Sequence, residues 1–423
     1  MKKRHALLLV CVAVFLENGL AQRDFFKNRS FTQADTLRGM LRQERTCYDV
    51  TFYDINLSVD TKRKFLKGFV DIHFSVVEDC SKIQIDLFEN MDIDAITFKD
   101  ETLAFFRLHN AIFVKFPELL PAGSSGFIRV VYQGRPHIAK MPPWDGGFVW
   151  KKDHKLKPWV GVACEGIGAS LWWPCKDHLS DEPDSVSIRV DVPRPLVVVC
   201  NGNLRQVTHL DEKTDRYHWF VSYPINNYNV TLNIGSFEHF SDWFICADGD
   251  SLALDYYVLP HNLERAKEYF RQVKPLLACY EKLLGKFPFP KDGFALVESP
   301  FTGMEHQGAI AFGSDFQRGY QGRWVPDDMD YDHIIVHETA HEYFGNAVSI
   351  KDMADLWIHE GFATYMESWY VECMSSNSDA QNYLRGQFSI ISNSEPMVGP
   401  YDVNYAKITN LDTARLLYGS CRR

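Results

Sequence analysis

Residues 332–348 read DHIIVHETAHEYFGNAV, and residues 355–373 read DLWIHEGFATYMESWYVEC. In both stretches apolar residues recur every three or four positions, which predicts two successive helices. The first stretch contains the pattern H-E-x-x-H. Residues four apart on a helix lie on one face about one turn apart. The imidazoles of His337 and His341 can therefore reach a single ion.

The second predicted helix supplies a third ligand, Glu360, which follows His341 by 19 residues. A short connection lets this helix fold back and present its carboxylate to the same ion. Two imidazoles, one carboxylate and an open fourth position form a catalytic zinc arrangement. The sequence therefore predicts one Zn²⁺ per chain, bound by His337, His341 and Glu360. His333 and His359 are out of register with this set and are predicted to be ordinary polar positions.

Glu338 stands beside the first histidine of the motif and is predicted to be the catalytic base. From the same helix it cannot serve as a third ligand, but it can face a zinc-bound water. Zinc lowers the pKa of such a water and polarises a peptide carbonyl group. Glu338 would take the water proton and pass it to the leaving amine. The tetrahedral oxyanion then needs further stabilisation from the protein.

The motif HETAHEYFGN, followed after an 18-residue gap by the glutamate of WIHEGFATYMES, resembles the aminopeptidase N family of zinc peptidases. Upstream, TGMEH at residues 302–306 resembles the family's exopeptidase motif G-x-M-E-N. This resemblance implies that Glu305 binds the free α-amine of a peptide substrate. It also implies that backbone groups of Gly303 and Met304 pair with the peptide. A carboxylate at a fixed distance from the scissile bond would reject blocked N-termini.

Glu165 lies in ACEGIGASLWWPCKD, residues 163–177, which is similar to a segment of the family's β domain. The resemblance implies that Glu165 is a second anchor for the substrate amine. Taken alone, this residue would be interpreted as a solvated loop carboxylate. The expected partners are thus peptides with a free N-terminus.

The sequence also departs from the family pattern. Thr302 and His306 replace the first Gly and the Asn of the exopeptidase motif. The family has a catalytic Tyr several dozen residues after the third ligand, usually in Y-x-K-G. Tyr405 and Tyr418 are the candidates here, and neither has that full context. The resemblance covers residues 47–405, and the chain is expected to be a C-terminally truncated form of the family.

The rest of the chain predicts an α+β protein with two main parts. Residues 47–244 contain runs such as YDVTFYDINLSVD and GFVDIHFSVVE, whose alternation predicts an antiparallel β domain. Residues 22–46 form a lead segment with one possible helix. Residues 245–423 are expected to be a thermolysin-like, mainly helical zinc-peptidase domain that is incomplete at its C-terminus.

The N-terminus predicts export from the cytoplasm, to the periplasm or outside the cell. Basic residues 2–4 precede ALLLVCVAVFL at residues 6–16, and small residues follow, as in a signal peptide of residues 1–21. Eleven apolar residues are too few to span a bilayer, which takes about 20. We therefore expect no stable membrane insertion after cleavage. The formal net charge of −10 argues against nucleic acid as a partner. No motif indicates an oligomeric state.

The ten cysteines contain no C-x-x-C pair, so a cysteine zinc site is not expected. An exported chain could form disulfides, but their pairing cannot be read from the spacing. Several of these cysteines are expected to be small buried apolar residues.

Three functions compete on this evidence. The first is a zinc-dependent aminopeptidase that removes N-terminal residues from peptides. The alternative is a truncated zinc- and peptide-binding remnant with little or no turnover, because loss of one oxyanion donor can cost about 10²–10³ in rate. The third is an endopeptidase that shares only H-E-x-x-H, and Glu305 and Glu165 argue against it, since an endopeptidase needs no amine anchor.

Overall fold

The structure is a computed structural model that describes residues 31–319, 324–388 and 398–403. Strands dominate the first half of the chain, and the longer helices lie in the second half. This arrangement confirms the predicted α+β class. The predicted signal peptide lies outside the described residues.

Two short helices, α1 (Gln33–Gly39) and α2 (Gln43–Thr46), precede the first strand, where the sequence suggested one helix. α1 begins with a capping box. Thr32 Oγ1 accepts a hydrogen bond from the amide of Asp35, whose carboxylate accepts one from the amide of Thr32. These bonds satisfy amides that have no partner within the helix.

The largest sheet contains β1 (Tyr48–Asp60), β2 (Phe65–Val76), β4 (Met91–Phe98), β5 (Glu101–Thr102), β8 (Ser125–Gly134), β11 (Ser185–Pro193), β13 (Asn203–His209) and β14 (Thr214–Val221). Their order is β13-β14-β11-β1-β2-β8-β4-β5. Neighbouring strands are antiparallel except β1 and β11, which are parallel. Tyr53, Ile55, Leu57 and Val59 of β1 are buried, as the two-residue period of a strand requires.

Two smaller sheets complete the β domain. One contains β3 (Cys80–Asp86), β6 (Ala104–Leu108) and β7 (Ala111–Leu120), and the other contains β9 (Gly147–Lys152), β10 (Pro158–Ala163), β12 (Val197–Val199) and β15 (Asn233–Gly235). Their orders are β3-β7-β6 and β12-β15-β10-β9. After β10 the chain makes a tight turn and buries Trp172 and Trp173 completely.

The second part of the chain is built on a five-stranded sheet of β16 (Glu238–Ile245), β17 (Ser251–Val258), β18 (Phe294–Glu298), β19 (Gly303–Met304) and β20 (Ile310–Phe312). Its order is β16-β17-β18-β20-β19, so β19 is an edge strand. The predicted domain boundary between residues 244 and 245 falls in β16, which pairs with β17 along its whole length. The boundary itself stays a prediction.

The helices of this part are α3 (Leu263–Tyr269), α4 (Val273–Leu284), α5 (His333–His341), α6 (Trp357–Met374) and α7 (Asn377–Phe388). α3 and α4 are separated by a 3₁₀ turn, Phe270–Gln272. Pro275 explains the division, because it occupies the first turn of α4, where an amide hydrogen has no helical partner. α5 and α6 are the two helices that the sequence predicted around the metal motif.

A disulfide between Cys279 and Cys373 joins α4 to α6, with the two Cα atoms 6.1 Å apart. The other cysteines in the described part of the chain are free, and all of them except Cys246 are buried. This agrees with their prediction as small apolar residues. Among the described residues, no helix has the length and apolar character needed to cross a membrane.

Candidate metal centre

α5 places the two histidines of the motif side by side. The side chain of Asp332 caps the helix by accepting a hydrogen bond from the amide of Ile335 at 3.0 Å. The Nε2 atoms of His337 and His341 then lie 3.1 Å apart. This is the convergence that the i, i+4 spacing predicted.

The other nitrogen of each ring faces an acceptor. His337 Nδ1 lies 2.7 Å from a carboxylate oxygen of Glu367, and His341 Nδ1 lies 3.0 Å from the carbonyl oxygen of Phe344. In a neutral imidazole a proton on Nδ1 leaves a lone pair on Nε2, so both rings can present Nε2 to a metal ion. Two lone pairs facing each other at this distance require a cation or a proton between them.

Glu360 is held by α6 beside these two nitrogens. Its carboxylate oxygens lie 3.4 Å from His337 Nε2 and 3.8 Å from His341 Nε2. Burial alone would raise the pKa of Glu360, but the interactions with His341 and His337 lower it to about 2. The carboxylate is therefore ionised and able to bind a metal ion.

The separations between the three ligand groups are close to those of a tetrahedral zinc site. At metal–ligand distances of about 2.0–2.2 Å, a tetrahedral shell places neighbouring ligand atoms about 3.3–3.6 Å apart. The observed separations run from 3.1 to 3.8 Å. The structure thus brings together all three predicted ligands, and their binding of zinc stays a prediction.

Glu338 lies on α5 next to these atoms and against β19. A Cβ atom added to Gly303 would lie 2.6 Å from Glu338 Oε1 and 2.8 Å from a methyl carbon of Ile334. Glycine at 303 therefore leaves the space that the carboxylate occupies. Burial raises the pKa of Glu338 well above its ordinary value, nearby His337 lowers it, and the carboxylate of Glu305 raises it further.

The two predicted amine anchors, Glu165 and Glu305, lie close enough for their charges to interact. Burial raises the pKa of Glu165 well above its usual range, and the nearby charge of Glu305 acts in the same direction. Burial also raises the pKa of Glu305, whose Oε1 accepts a hydrogen bond from the hydroxyl of Tyr228 at 3.1 Å. Met304, which precedes Glu305, is buried in β19. A cluster of partly desolvated carboxylates favours a cationic ligand.

Glu367, which contacts His337, was not predicted from the sequence as a site residue. Oε1 of Glu367 contacts His337 Nδ1, and Oε2 accepts hydrogen bonds from Tyr383 Oη and from Gln387 Nε2, the latter at 3.1 Å. A signal was available, because residue 367 follows Glu360 by seven positions and so lies on the same face of a helix. Tyr228 offered no comparable signal, since it stands in a strand-like run without a motif.

The remaining histidines near the site are buried, although two of them were predicted to be ordinary polar positions. His333 stacks on His337 with ring centroids 5.1 Å apart. Neither ring nitrogen of His306 or His359 has a hydrogen-bond partner within the described residues. Burial lowers the pKa of both rings to about 3, so both are neutral. Tyr405 and Tyr418, the candidates for oxyanion stabilisation, lie outside the described residues.

Comparisons with known proteins agree on one family. Residues 268–403 match the family model described as Peptidase family M1 domain. Probable aminopeptidase 2 of Sulfurisphaera tokodaii is 26% identical over 321 residues, which cover 74% of this chain and 38% of that protein. Endoplasmic reticulum aminopeptidase 1 of Homo sapiens is 25% identical over 64% of this chain and 29% of that protein. The chain thus spans only about a third of the length of these relatives.

Solved structures show the same fold. An M1 zinc metallopeptidase from Deinococcus radiodurans, crystallised as a mutant with a Tyr-Ser-Ala substrate, superposes with a TM-score of 0.69 and 21% sequence identity. The superposition covers 87% of this chain and 80% of that one. A further M1 zinc metallopeptidase structure, of a two-domain mutant bound to L-arginine, gives a TM-score of 0.66 over 84% of this chain.

Proposed function

We propose that this protein is a zinc-dependent aminopeptidase that acts on peptides with a free N-terminus. The match of residues 268–403 to the Peptidase family M1 domain supports the proposal. One observation carries the proposal. The Nε2 atoms of His337 and His341 face each other at 3.1 Å, with the ionised carboxylate of Glu360 beside them. Two imidazole nitrogens and a carboxylate at these distances suit the binding of a divalent cation better than they suit a hydrogen bond between the two rings.

Bound zinc would supply a Lewis acid that polarises a carbonyl group and lowers the pKa of water. The chain supplies the proton transfers. Glu338 is held between α5 and β19, where a peptide carbonyl and an attacking water would meet. Its raised pKa suits a group that accepts a proton from water and then releases it to the leaving amine.

Recognition of the N-terminus is assigned to Glu305 and Glu165. Their carboxylates lie near the metal ligands, so a peptide ammonium group bound between them would place the first peptide bond close to Glu338. β19 is an edge strand with its other edge paired to β20. A substrate peptide would add to the free edge, where Gly303 and Met304 offer backbone groups.

Export is part of the proposal. The predicted signal peptide at residues 1–21 would take the chain to the periplasm or the extracellular space. The Cys279–Cys373 disulfide supports this location, because such bonds persist mainly in oxidising compartments.

The proposal is tested with the full chain, Glu338→Gln and a control, Glu372→Gln, which makes the same change at an exposed site on α6. Substrates are leucine p-nitroanilide and its N-acetyl derivative. We expect Glu338→Gln to retain its zinc, measured by elemental analysis, and to lose about 10²–10⁴ in kcat, as expected for loss of a general base. The control should match the wild type.

Each other outcome excludes a specific function. Undiminished turnover by Glu338→Gln would show that Glu338 is not the catalytic base. Equal cleavage of the acetylated substrate would favour an endopeptidase. Stoichiometric zinc without turnover in the wild type would favour the zinc- and peptide-binding remnant.

A further inference from the structure

The described part of the lead segment, residues 31–46, contacts the chain next to Glu165. We propose that Arg38 is a positioning residue for Glu165, so that the lead segment forms part of the amine-binding site. The inference rests on the proposed function only for the role of Glu165. The structural part concerns how the chain around Glu165 is held.

Glu165 stands in a tight turn of residues 164–168, the Glu165 turn. Gly168 N donates to Cys164 O at 2.6 Å, and Ile167 N donates to Glu165 O at 2.8 Å. Gly166 and Gly168 have φ angles of 70° and 94°, which side-chain-bearing residues rarely adopt. No described residue hydrogen-bonds Glu165 Oε1, which is buried. The position of this carboxylate therefore depends on the backbone of the turn.

Arg38 of α1 lies directly against the end of this turn. Its Nη1 is 2.7 Å from Asp177 Oδ2 and 3.1 Å from Ser170 Oγ. The same Asp177 oxygen accepts a hydrogen bond from the amide of Ser170 at 2.9 Å. A Cβ atom on Gly168 would collide with the guanidinium group. One arginine thus packs on the turn and fixes the residues that follow it.

The helix α1 is fixed by hydrogen bonds from three side chains, so the backbone that carries Arg38 is fixed as well. The carbonyl oxygens of residues 37–39 accept hydrogen bonds from Gln84 Nε2 at 3.0 Å, Arg45 Nη1 at 2.7 Å and His178 Nε2 at 3.0 Å, respectively. Arg45 also pairs with the buried carboxylate of Asp86 at 2.6 Å. A helix of seven residues is too short to be stable alone, so these contacts hold it in place.

Packing alone does not hold the turn on this side. A cavity of about 60 Å³ is lined by Cys164, Gly166 and Gly168 of the turn and by Arg38 and Met353. The turn therefore has room to move if the hydrogen bonds of Arg38 are lost.

Hydrogen exchange of the zinc-loaded full chain tests the structural part directly. We expect Arg38→Ala to increase exchange of the amides of residues 167 and 168 about tenfold or more, as local opening becomes easier. Arg38→Lys should give an exchange rate between those of the wild type and Arg38→Ala, because lysine keeps the charge but lacks the planar guanidinium group with its several donors. The control is Arg129→Ala, which removes an arginine–aspartate pair with Asp71 in the same domain.

Kinetics test the functional part. Arg38→Ala should raise KM for leucine p-nitroanilide about tenfold while kcat stays within about twofold, since the metal ligands and Glu338 are untouched. Equal exchange of the turn in Arg38→Ala and Arg129→Ala overturns the inference, and so does a loosened turn with an unchanged KM. A wild-type protein that cleaves acetylated substrate equally well refutes the aminopeptidase proposal instead, and the exchange result still decides the role of Arg38.

Discussion

Glu367 shows how a residue that touches no substrate can set the properties of a metal centre. Its carboxylate accepts the Nδ1 proton of His337 and is fixed in turn by Tyr383 and Gln387 of α7. Glu367 is fully buried. A carboxylate in this position fixes the ring orientation and makes Nε2 a better metal ligand.

We predict that Glu367→Gln lowers zinc affinity about 10- to 100-fold, the usual cost of losing an outer-shell partner of a histidine ligand. The affinity is measured by competition with a chromophoric chelator at constant pH. Glu372→Gln, five residues along the same helix and exposed, is the control and should bind zinc as the wild type does. Unchanged affinity in Glu367→Gln would show that the contact does not tune the site.

At the residue scale, the site residues that could be predicted are those separated by a short distance in the sequence. His337, His341 and Glu360 could be found because they lie on two neighbouring helices with a recognisable motif. The contact of Tyr228 with Glu305 joins residues 77 positions apart in the chain. No local pattern encodes such a contact, since it depends on how the β domain packs against β19.

At the scale of elements, His178 contacts the C-terminal end of α1. Its Nε2 donates to the carbonyl of Gly39, and its Nδ1 accepts from the amide of Ser180 at 3.2 Å. The bond to Gly39 can form in either protonation state, but the bond from Ser180 needs a lone pair on Nδ1 and therefore a neutral ring. Burial, followed by the positive charge of Arg45, lowers the pKa of His178 to about 4.

This shift predicts a loss of stability in acid. The folded-state pKa lies below the unfolded value of about 6.5, so the contribution is complete above pH 6.5 and is lost as the pH falls towards 4. The free energy of unfolding should fall by up to about 3 kcal/mol over this window. Urea unfolding at several pH values should show a weaker pH dependence in His178→Gln than in the wild type. The exposed control His109→Gln should keep the wild-type slope, and an equal slope in His178→Gln would refute the prediction.

The elements themselves were predictable to different degrees. α6 was predicted close to its observed position, whereas the helical run predicted over residues 332–348 ends as a helix at His341. The 3₁₀ turn at Phe270–Gln272 could not be predicted, because the apolar period continues through it and only Pro275 marks the new helix start. β19 has two residues, and such a strand exists only because β20 lies next to it.

At the scale of the whole molecule, one covalent bond ties the helical part together. The Cys279–Cys373 disulfide closes a segment of 94 residues that includes the whole metal motif. Long closed loops restrict the unfolded chain most. The bond also attaches α6, which carries Glu360, to α4.

We predict that replacing Cys279 and Cys373 together by alanine lowers the free energy of unfolding by about 2–4 kcal/mol, the usual contribution of a native disulfide. The change is measured by urea unfolding of protein produced in an oxidising compartment. The control is Cys246→Ala, because Cys246 is free and partly exposed. An unfolding midpoint equal to that of the wild type would contradict the prediction.

The arrangement of sheets was the part of the fold least accessible from the sequence. Alternating residues revealed the strands but not their neighbours, because register and order depend on contacts between distant segments. β1 and β11 pair in parallel although Phe52 and its partner Ser185 are separated by more than a hundred residues. The cysteine pairing was hidden for the same reason.

The position of β19 at the edge of its sheet has one more consequence for the proposed activity. A peptide bound along this edge would be held through main-chain hydrogen-bonding groups, which all amino acids share. The carboxylates of Glu165 and Glu305 would recognise only its ammonium group. Such a protein would recognise the N-terminus of a polypeptide and would depend little on its amino-acid composition. It would shorten many unrelated peptides stepwise, and each cut would expose a fresh terminus equivalent to the last.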